Sequence, residues 1–200
     1  MKIRRRSDKL IASIPIPANS LNLLEDILIH SEFIEQIIKE SPEKILEVGC
    51  GRGTISIFLS QLGHDVTAVD KDEGVVEAAK AASKNLNANV TFNIANASKL
   101  PFKNHYFDIC FSQGILEHFS DEDIIRLLKE QLRVSKKVIF SVPSLFYNSR
   151  EIGDERLLTK SRWEKILKNF EVELSLYYYR IQTKRNFNLK LPLMYMAKIK

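Results

Sequence analysis

Three of the seven glycines in this 200-residue chain fall within five positions, at Gly49, Gly51 and Gly53. They follow an apolar run that ends Leu46-Glu47-Val48, and they precede a segment from Thr54 with helical periodicity. Glycine lets a backbone turn sharply and lets another molecule come close to it. A strand that passes through such a loop into a helix presents free backbone N–H groups and a positive helix end at the carboxyl edge of a sheet. In open α/β sheets ligands bind at that edge, where the strand order reverses. The loop thus constrains both the local topology and the place where a ligand sits.

The rest of the chain extends this reading. Short β-branched runs at 43–48, 64–70, 89–95, 106–112 and 136–144 read as strands. Helical spacing at 54–63, 73–86 and 120–135 separates them, the first closed by Gly63 and the last opened by Ser120 with Asp123 three residues on. Strand and helix alternating at this spacing imply a doubly wound, mostly parallel α/β sheet with helices on both faces. After a helix at 159–170, the runs 172–181 and 191–199 are strands with no room between them for a crossover helix. They are expected to pair antiparallel across a loop at 182–190, which completes seven strands. Residues 20–40 show helical periodicity, as one bent helix or two. The chain reads as one domain, with an N-terminal arm and helices over 1–41 capping the substrate side of a core over 42–200.

At 44% hydrophobic and 28% charged the composition is that of a globular chain. No apolar run approaches the ~18 residues of a membrane span. The start MKIRRRSDKL is basic, but the prolines that follow break any secretory apolar stretch. Cys50 and Cys110 are far apart and make no metal spacing, which fits a reducing cytoplasm. The net charge of +5 is concentrated at the two ends, and the body between is acidic. The ends read as solvated charge, or as a footprint for nucleic acid or another anionic surface.

The glycine spacing departs from the dinucleotide fingerprint G-x-G-x-x-G, because Thr54 stands where its third glycine falls. Glu47, two residues before Gly49, would repel a pyrophosphate in a poorly screened crevice and suits a ligand with a cationic amine. With ILEVGCGRG, VTAVDKD, ANASKLPF, FDICFSQGILEHF and LLKEQLRVSKKVIFSVPS in that order, the chain resembles the class I S-adenosylmethionine-dependent methyltransferases, in their small-molecule, type 11-like branch. The resemblance runs over residues 42–144 and implies a Rossmann-like fold that binds S-adenosylmethionine and releases S-adenosylhomocysteine. It places Gly49, Cys50 and Gly51 along the methionine part, with Glu47 near its amino group. Asp70 then accepts the ribose hydroxyls, Lys71 lies at the adenine edge, and Asn96 and Ala97 bound the adenine. Asn96 departs from the aspartate most common there. Gln113 and Gly114 offer backbone groups to the methionine end. Taken singly, Asp70, Lys71 and Asn96 also fit plain turn residues, and Glu47 fits a partner of a nearby lysine.

Displacement at a sulfonium methyl needs chiefly alignment, and a base only where the acceptor must lose a proton. His118 is the candidate base, or else a residue that caps or packs the next segment. Related O-methyltransferases carry Glu-x-x-Glu-His here to hold a divalent metal. In this chain Gly114 replaces the first carboxylate, leaving Glu117 and His118, so no metal is expected. The segment 141–163 is expected to wall an acceptor pocket with the N-terminal helices. Phe146, Tyr147, Arg150 and Trp163 are its candidates, Tyr147 to bond an acceptor and Arg150 to hold an acidic one. The expected activity is methyl transfer to a small molecule. An RNA or protein methyltransferase gripping its substrate with the basic ends, and a non-catalytic cofactor-binding scaffold, are the alternatives.

Overall fold

A computed structural model describes residues 20–147, 155–183 and 186–200. Its strands are β1 (Lys44–Val48), β2 (Asp65–Asp70), β3 (Val90–Ile94), β4 (Phe107–Gln113), β5 (Ser135–Pro143), β6 (Val172–Thr183) and β7 (Asn186–Ile199). They form one sheet in the order β3-β2-β1-β4-β5-β7-β6. All pairs from β3 to β5 are parallel, and β7 runs antiparallel to both neighbours. This is the seven-stranded, mostly parallel, Rossmann-like sheet expected from the sequence. The order reverses between β1 and β4, so the crevice of the fold opens at their carboxyl ends.

Alternation along the strands splits the core into two layers, because successive side chains point to opposite faces. Ile45, Val66, Ile109, Ile139 and Met196 lie in one buried cluster, and Leu46, Val69, Cys110, Val138 and Ala197 in the other. Both faces are buried, which is why these strands read as nearly continuous apolar runs. Four helices cover the first face: α1 (Ser20–Ile29), α2 (Ser31–Ile38), α3 (Thr54–Gln61) and α4 (Glu73–Asn85). The second is covered by α5 (Asp121–Val134), α6 (Lys160–Ile166) and the non-helical stretch that carries Leu100 and Phe102.

The N-terminal segment is two helices, which meet at His30. α2 buries Phe33, Ile34 and Ile37, and the Phe33 ring meets Phe111 edge-on at 6.1 Å and stacks on Tyr178 at 6.4 Å. Polar caps open the later helices: Asp72, Ser120 and Thr159 each accept from the backbone N–H three residues ahead. Ser120 receives Asp123 N at 3.2 Å, the local signal that the sequence offered.

Three expectations are corrected. α6 stops at Ile166, well before residue 170, and Leu167 caps it. The stretch expected as a loop at 182–190 is largely strand, because β6 and β7 continue as a two-stranded ribbon beyond the last β5 pair, Pro143 with Met194. Pro192 is tolerated there: past that pair β7 has β6 alone as a ladder neighbour, so a missing N–H breaks nothing on the β5 side. Trp163 walls no pocket. It is fully buried on the second face, stacked on Tyr195 at 5.7 Å and beside Phe140.

Candidate cofactor site

The three glycines have separate structural reasons. All have left-handed φ, +72° at Gly49, +50° at Gly51 and +70° at Gly53, a conformation that costs other residues about 1–2 kcal/mol. At Gly49 a Cβ would fall 1.8 Å from Ile115 Cδ1, so this glycine lets the loop after β4 close onto the loop after β1. At Gly53 the neighbour is the Phe92 ring, at 3.0 Å. At Gly51 a Cβ would meet nothing within 4 Å. Of the three, Gly51 is the one whose backbone stands open to an incoming molecule.

The loop is tied to the end of β2. Gly49 N and Cys50 N both donate to Val69 O, at 2.7 and 3.0 Å, and Gly51 N donates to Asp70 Oδ2 at 3.2 Å. Asp70 Oδ1 accepts from Asp72 N at 3.1 Å. The carboxylate is thus fixed by two backbone donors, and each oxygen retains a lone pair. The exposed Lys71 follows it at the rim.

Glu47 sits beneath the loop, 4% exposed. The fully buried Ser56, in the first turn of α3, donates its hydroxyl to Glu47 Oε2. Burial pushes the Glu47 pKa up to about 8, the Ser56 bonds draw it down, and the Asp70 charge pushes it further up. The buried Cys50 thiol is raised well above its usual range, first by burial and then by the Glu47 and Asp70 charges. It is therefore no nucleophile.

At the end of β3, Ala95 N donates to Asp70 O at 2.8 Å. Asn96 folds an Asn-type turn in which Oδ1 accepts from both Ser98 N (3.0 Å) and Ser98 Oγ (2.9 Å). Ala97 packs against the second-face core. Past β4, Gly114 (φ +69°) gives its N–H to Ser141 O at 2.9 Å. A 3₁₀ turn, Leu116–His118, follows. Adjacent strand ends thus gather Glu47, Gly49, Cys50, Gly51, Asp70, Lys71, Asn96, Ala97, Gln113 and Gly114 along one edge. That edge is four strands wide, roughly 14 Å at the usual strand spacing.

The remaining candidates lie apart from this row. His118 is half-buried and lines an open hollow of about 470 Å³ with Phe119, Ser120, Asp121, Arg156 and Arg162. Asp121 bonds both arginines, and Arg156 N donates to Glu117 O at 2.9 Å, which ties the segment after β5 to the turn that holds His118. Tyr147 is half-buried against the first-face core. Arg150 and the basic stretch 1–10 lie outside the described residues. Among the described residues no group of three or more His, Cys, Asp or Glu side chains is placed to hold a metal ion, and no helix is long and apolar enough to cross a membrane.

Sequence reading missed Ser56, Ile115, Glu130 and Arg133. Ser56 had one weak signal, a hydroxyl set between two isoleucines in an apolar helix. Ile115 carries no local signal, because it meets Gly49 on a distant loop. The three-residue spacing of Glu130 and Arg133 shows only a helical ion pair, because their other partners, Leu100, Phe102 and Asn104, lie some thirty residues away.

Comparison with known proteins places the geometry in context. The sequence profile of a family described as "Methyltransferase domain" matches residues 45–137. The chain is 30% identical over 111 residues to the ubiquinone biosynthesis O-methyltransferase of Coxiella burnetii, covering 55% of this chain and 47% of that protein. It therefore spans about half the length of the curated relatives it matches. In fold it is similar to a protein of Pyrococcus horikoshii, with TM-score 0.74, 18% identity and 96% and 98% of the two chains covered. It is also similar to magnesium protoporphyrin IX methyltransferase of Synechocystis with bound S-adenosylhomocysteine, with TM-score 0.65, 16% identity and 97% and 92% covered.

Proposed function

We propose, from the premise that the chain belongs to the class I S-adenosylmethionine-dependent methyltransferases, that it moves a methyl group from S-adenosylmethionine to a small-molecule acceptor and releases S-adenosylhomocysteine. The observation that carries this reading is the open backbone at Gly51, flanked by the oriented Asp70 carboxylate and the buried Glu47 at the strand-order reversal. The residues fit the group. Asp70 has one lone pair left on each oxygen for a ribose diol. Glu47 lies where a cationic amine would draw its proton off, and the Asn96–Ala97 turn offers a wall for a base. The cofactor supplies an activated methyl on a sulfonium. The protein's part is to bind, orient and exclude water, and alignment alone is worth roughly 7–11 kcal/mol of barrier in well-oriented cases.

The acceptor side is the rim formed after β4 and β5. Leu145 and Phe146 are exposed there, at 51% and 41%, and Phe146 rests edge-on against Tyr177 at 6.2 Å. These apolar side chains suit an acceptor with an apolar body. The chain's similarity to proteins named for ubiquinone biosynthesis and for magnesium protoporphyrin IX supports a small molecule as acceptor. His118, beside the hollow at the same rim, is the base where a proton must leave. Both cysteines are free and buried, in keeping with a cytoplasmic setting.

Calorimetric titration with S-adenosylmethionine, S-adenosylhomocysteine and NAD tests the reading. The first two should bind with micromolar affinity and NAD should not, and Asp70→Ala should abolish the binding. Absence of binding to the wild type would overturn the cofactor assignment. A positive result justifies a screen of small acceptors with labelled methyl donor.

A further inference from the structure

The stretch between β3 and β4 has no helix of its own, yet it carries the Asn96–Ala97 wall. It is held from the far end of α5. Arg133 uses all five of its N–H donors. Nη2 bonds Leu100 O at 2.9 Å and Glu130 Oε1 at 2.8 Å, Nη1 bonds Phe102 O and Asn104 Oδ1, both at 2.9 Å, and Nε bonds Glu130 Oε2 at 2.9 Å. Glu130 Oε1 also accepts from Leu100 N at 2.7 Å, and Arg133 O accepts from His105 N at 2.8 Å. The Asn96 turn is itself closed by Lys99 N on Asn96 O at 2.9 Å, so a continuous bonded path joins Asn96 to α5.

We infer that Arg133, with Glu130, is a positioning residue that holds the base-binding wall of the cofactor site in its binding geometry before the cofactor arrives. The inference rests on the cofactor reading above. A wall without secondary structure samples many conformations, and each bond from a rigid helix removes some of them. Apparent affinity falls in proportion to the fraction of time the wall is formed. A guanidinium is needed because lysine has a compact head with three donors and cannot span Leu100 O, Phe102 O and Asn104 Oδ1 together. Arg133 touches no reacting atom, so it governs binding and not the chemical step.

The test is calorimetric titration of S-adenosylhomocysteine into wild type, Arg133→Lys and Glu130→Gln, with circular dichroism melts and hydrogen exchange at the Leu100 and His105 amides. Arg133→Lys should remain folded and bind about tenfold more weakly, as expected for a wall formed a tenth of the time. Exchange at the two amides should quicken in the unliganded variant. Should Arg133→Lys fail to fold, Glu130→Gln, which retains an acceptor for Leu100 N, decides by the same criteria with a smaller loss. A lowered melting temperature with unchanged affinity would overturn the inference and leave a stabilising bond network. Failure of the wild type to bind would instead overturn the cofactor reading, and this inference with it.

Discussion

Glu47 is a carboxyl group at a position where a carboxylate is expensive. Its ordinary pKa of 4.5 rises to about 8, chiefly because the side chain is buried. Between these values the unfolded chain has released a proton that the folded chain still holds. The Glu47 contribution to stability is therefore complete at low pH, declines as pH rises from about 4.5 to about 8, and is lost above that. Glu47→Gln keeps the shape and an acceptor for Ser56 but cannot ionise. The variant should gain stability relative to wild type as pH rises through this window, by a few kcal/mol at its top. Urea unfolding of both proteins at mildly acidic, neutral and mildly alkaline pH measures this, and a difference that stays flat with pH would show that Glu47 is already charged. The sequence made Glu47 legible as an acid beside a glycine loop. Its neutral state was not legible, because Ser56 and the burying residues belong to other elements. The glycines were half legible: their spacing announced a tight loop, but only the contact with Ile115 distinguishes Gly49 as a packing residue from Gly51 as an open approach.

The elements whose signals are local were readable, and those that depend on partners were not. β1 to β5 and the helices between them follow from apolar runs and polar caps such as Ser120, which belong to the segment itself. The β6–β7 ribbon was read too short because Gln182 to Lys190 is rich in polar residues. The alternation of Phe187, Leu189 and Leu191 was the overlooked period-two signal. At the other end of the chain, periodicity showed that residues 20–40 are helical but not what α2 does. α2 is part of the first-face core, with Phe33 fully buried against Phe111 and Tyr178. Phe33→Ala should therefore cost about 3–5 kcal/mol, as for other large aromatic truncations in cores. Chemical denaturation checks this, and a loss below about 1 kcal/mol would show α2 to be a detachable cap.

The two edges of the sheet divide the labour of the molecule. The carboxyl edge carries the glycine loop, Asp70 and the Asn96 turn. At the amino edge, Glu40 bonds Lys137 at 2.8 Å and also pairs with Lys198, and Glu173 bonds Lys137 at 2.9 Å. This ties the end of the N-terminal helices to β5, β6 and β7, elements far apart in sequence. The Lys137 and Lys198 bonds hold the Glu40 carboxyl below its ordinary 4.5, and Lys137 does the same for Glu173. A depressed carboxylate stabilises the fold above its unfolded pKa, and the contribution is lost as pH falls through the folded value. The network should thus support the fold at neutral pH and weaken progressively as pH falls below 4.5 toward the lower folded value. Glu40→Gln leaves both lysines short of a charge, so it should cost about 1–2 kcal/mol at neutral pH, and the difference should shrink in acid. None of the residues proposed to hold the cofactor is among Glu40, Lys137, Glu173 and Lys198, which lie at the opposite edge, so the variant should bind S-adenosylhomocysteine as the wild type does. Unfolding curves at neutral and acidic pH, with a titration of the folded variant, measure both halves. Weakened binding with an unchanged melting temperature would show that the two edges are coupled through the strands, and the division of labour would then be wrong.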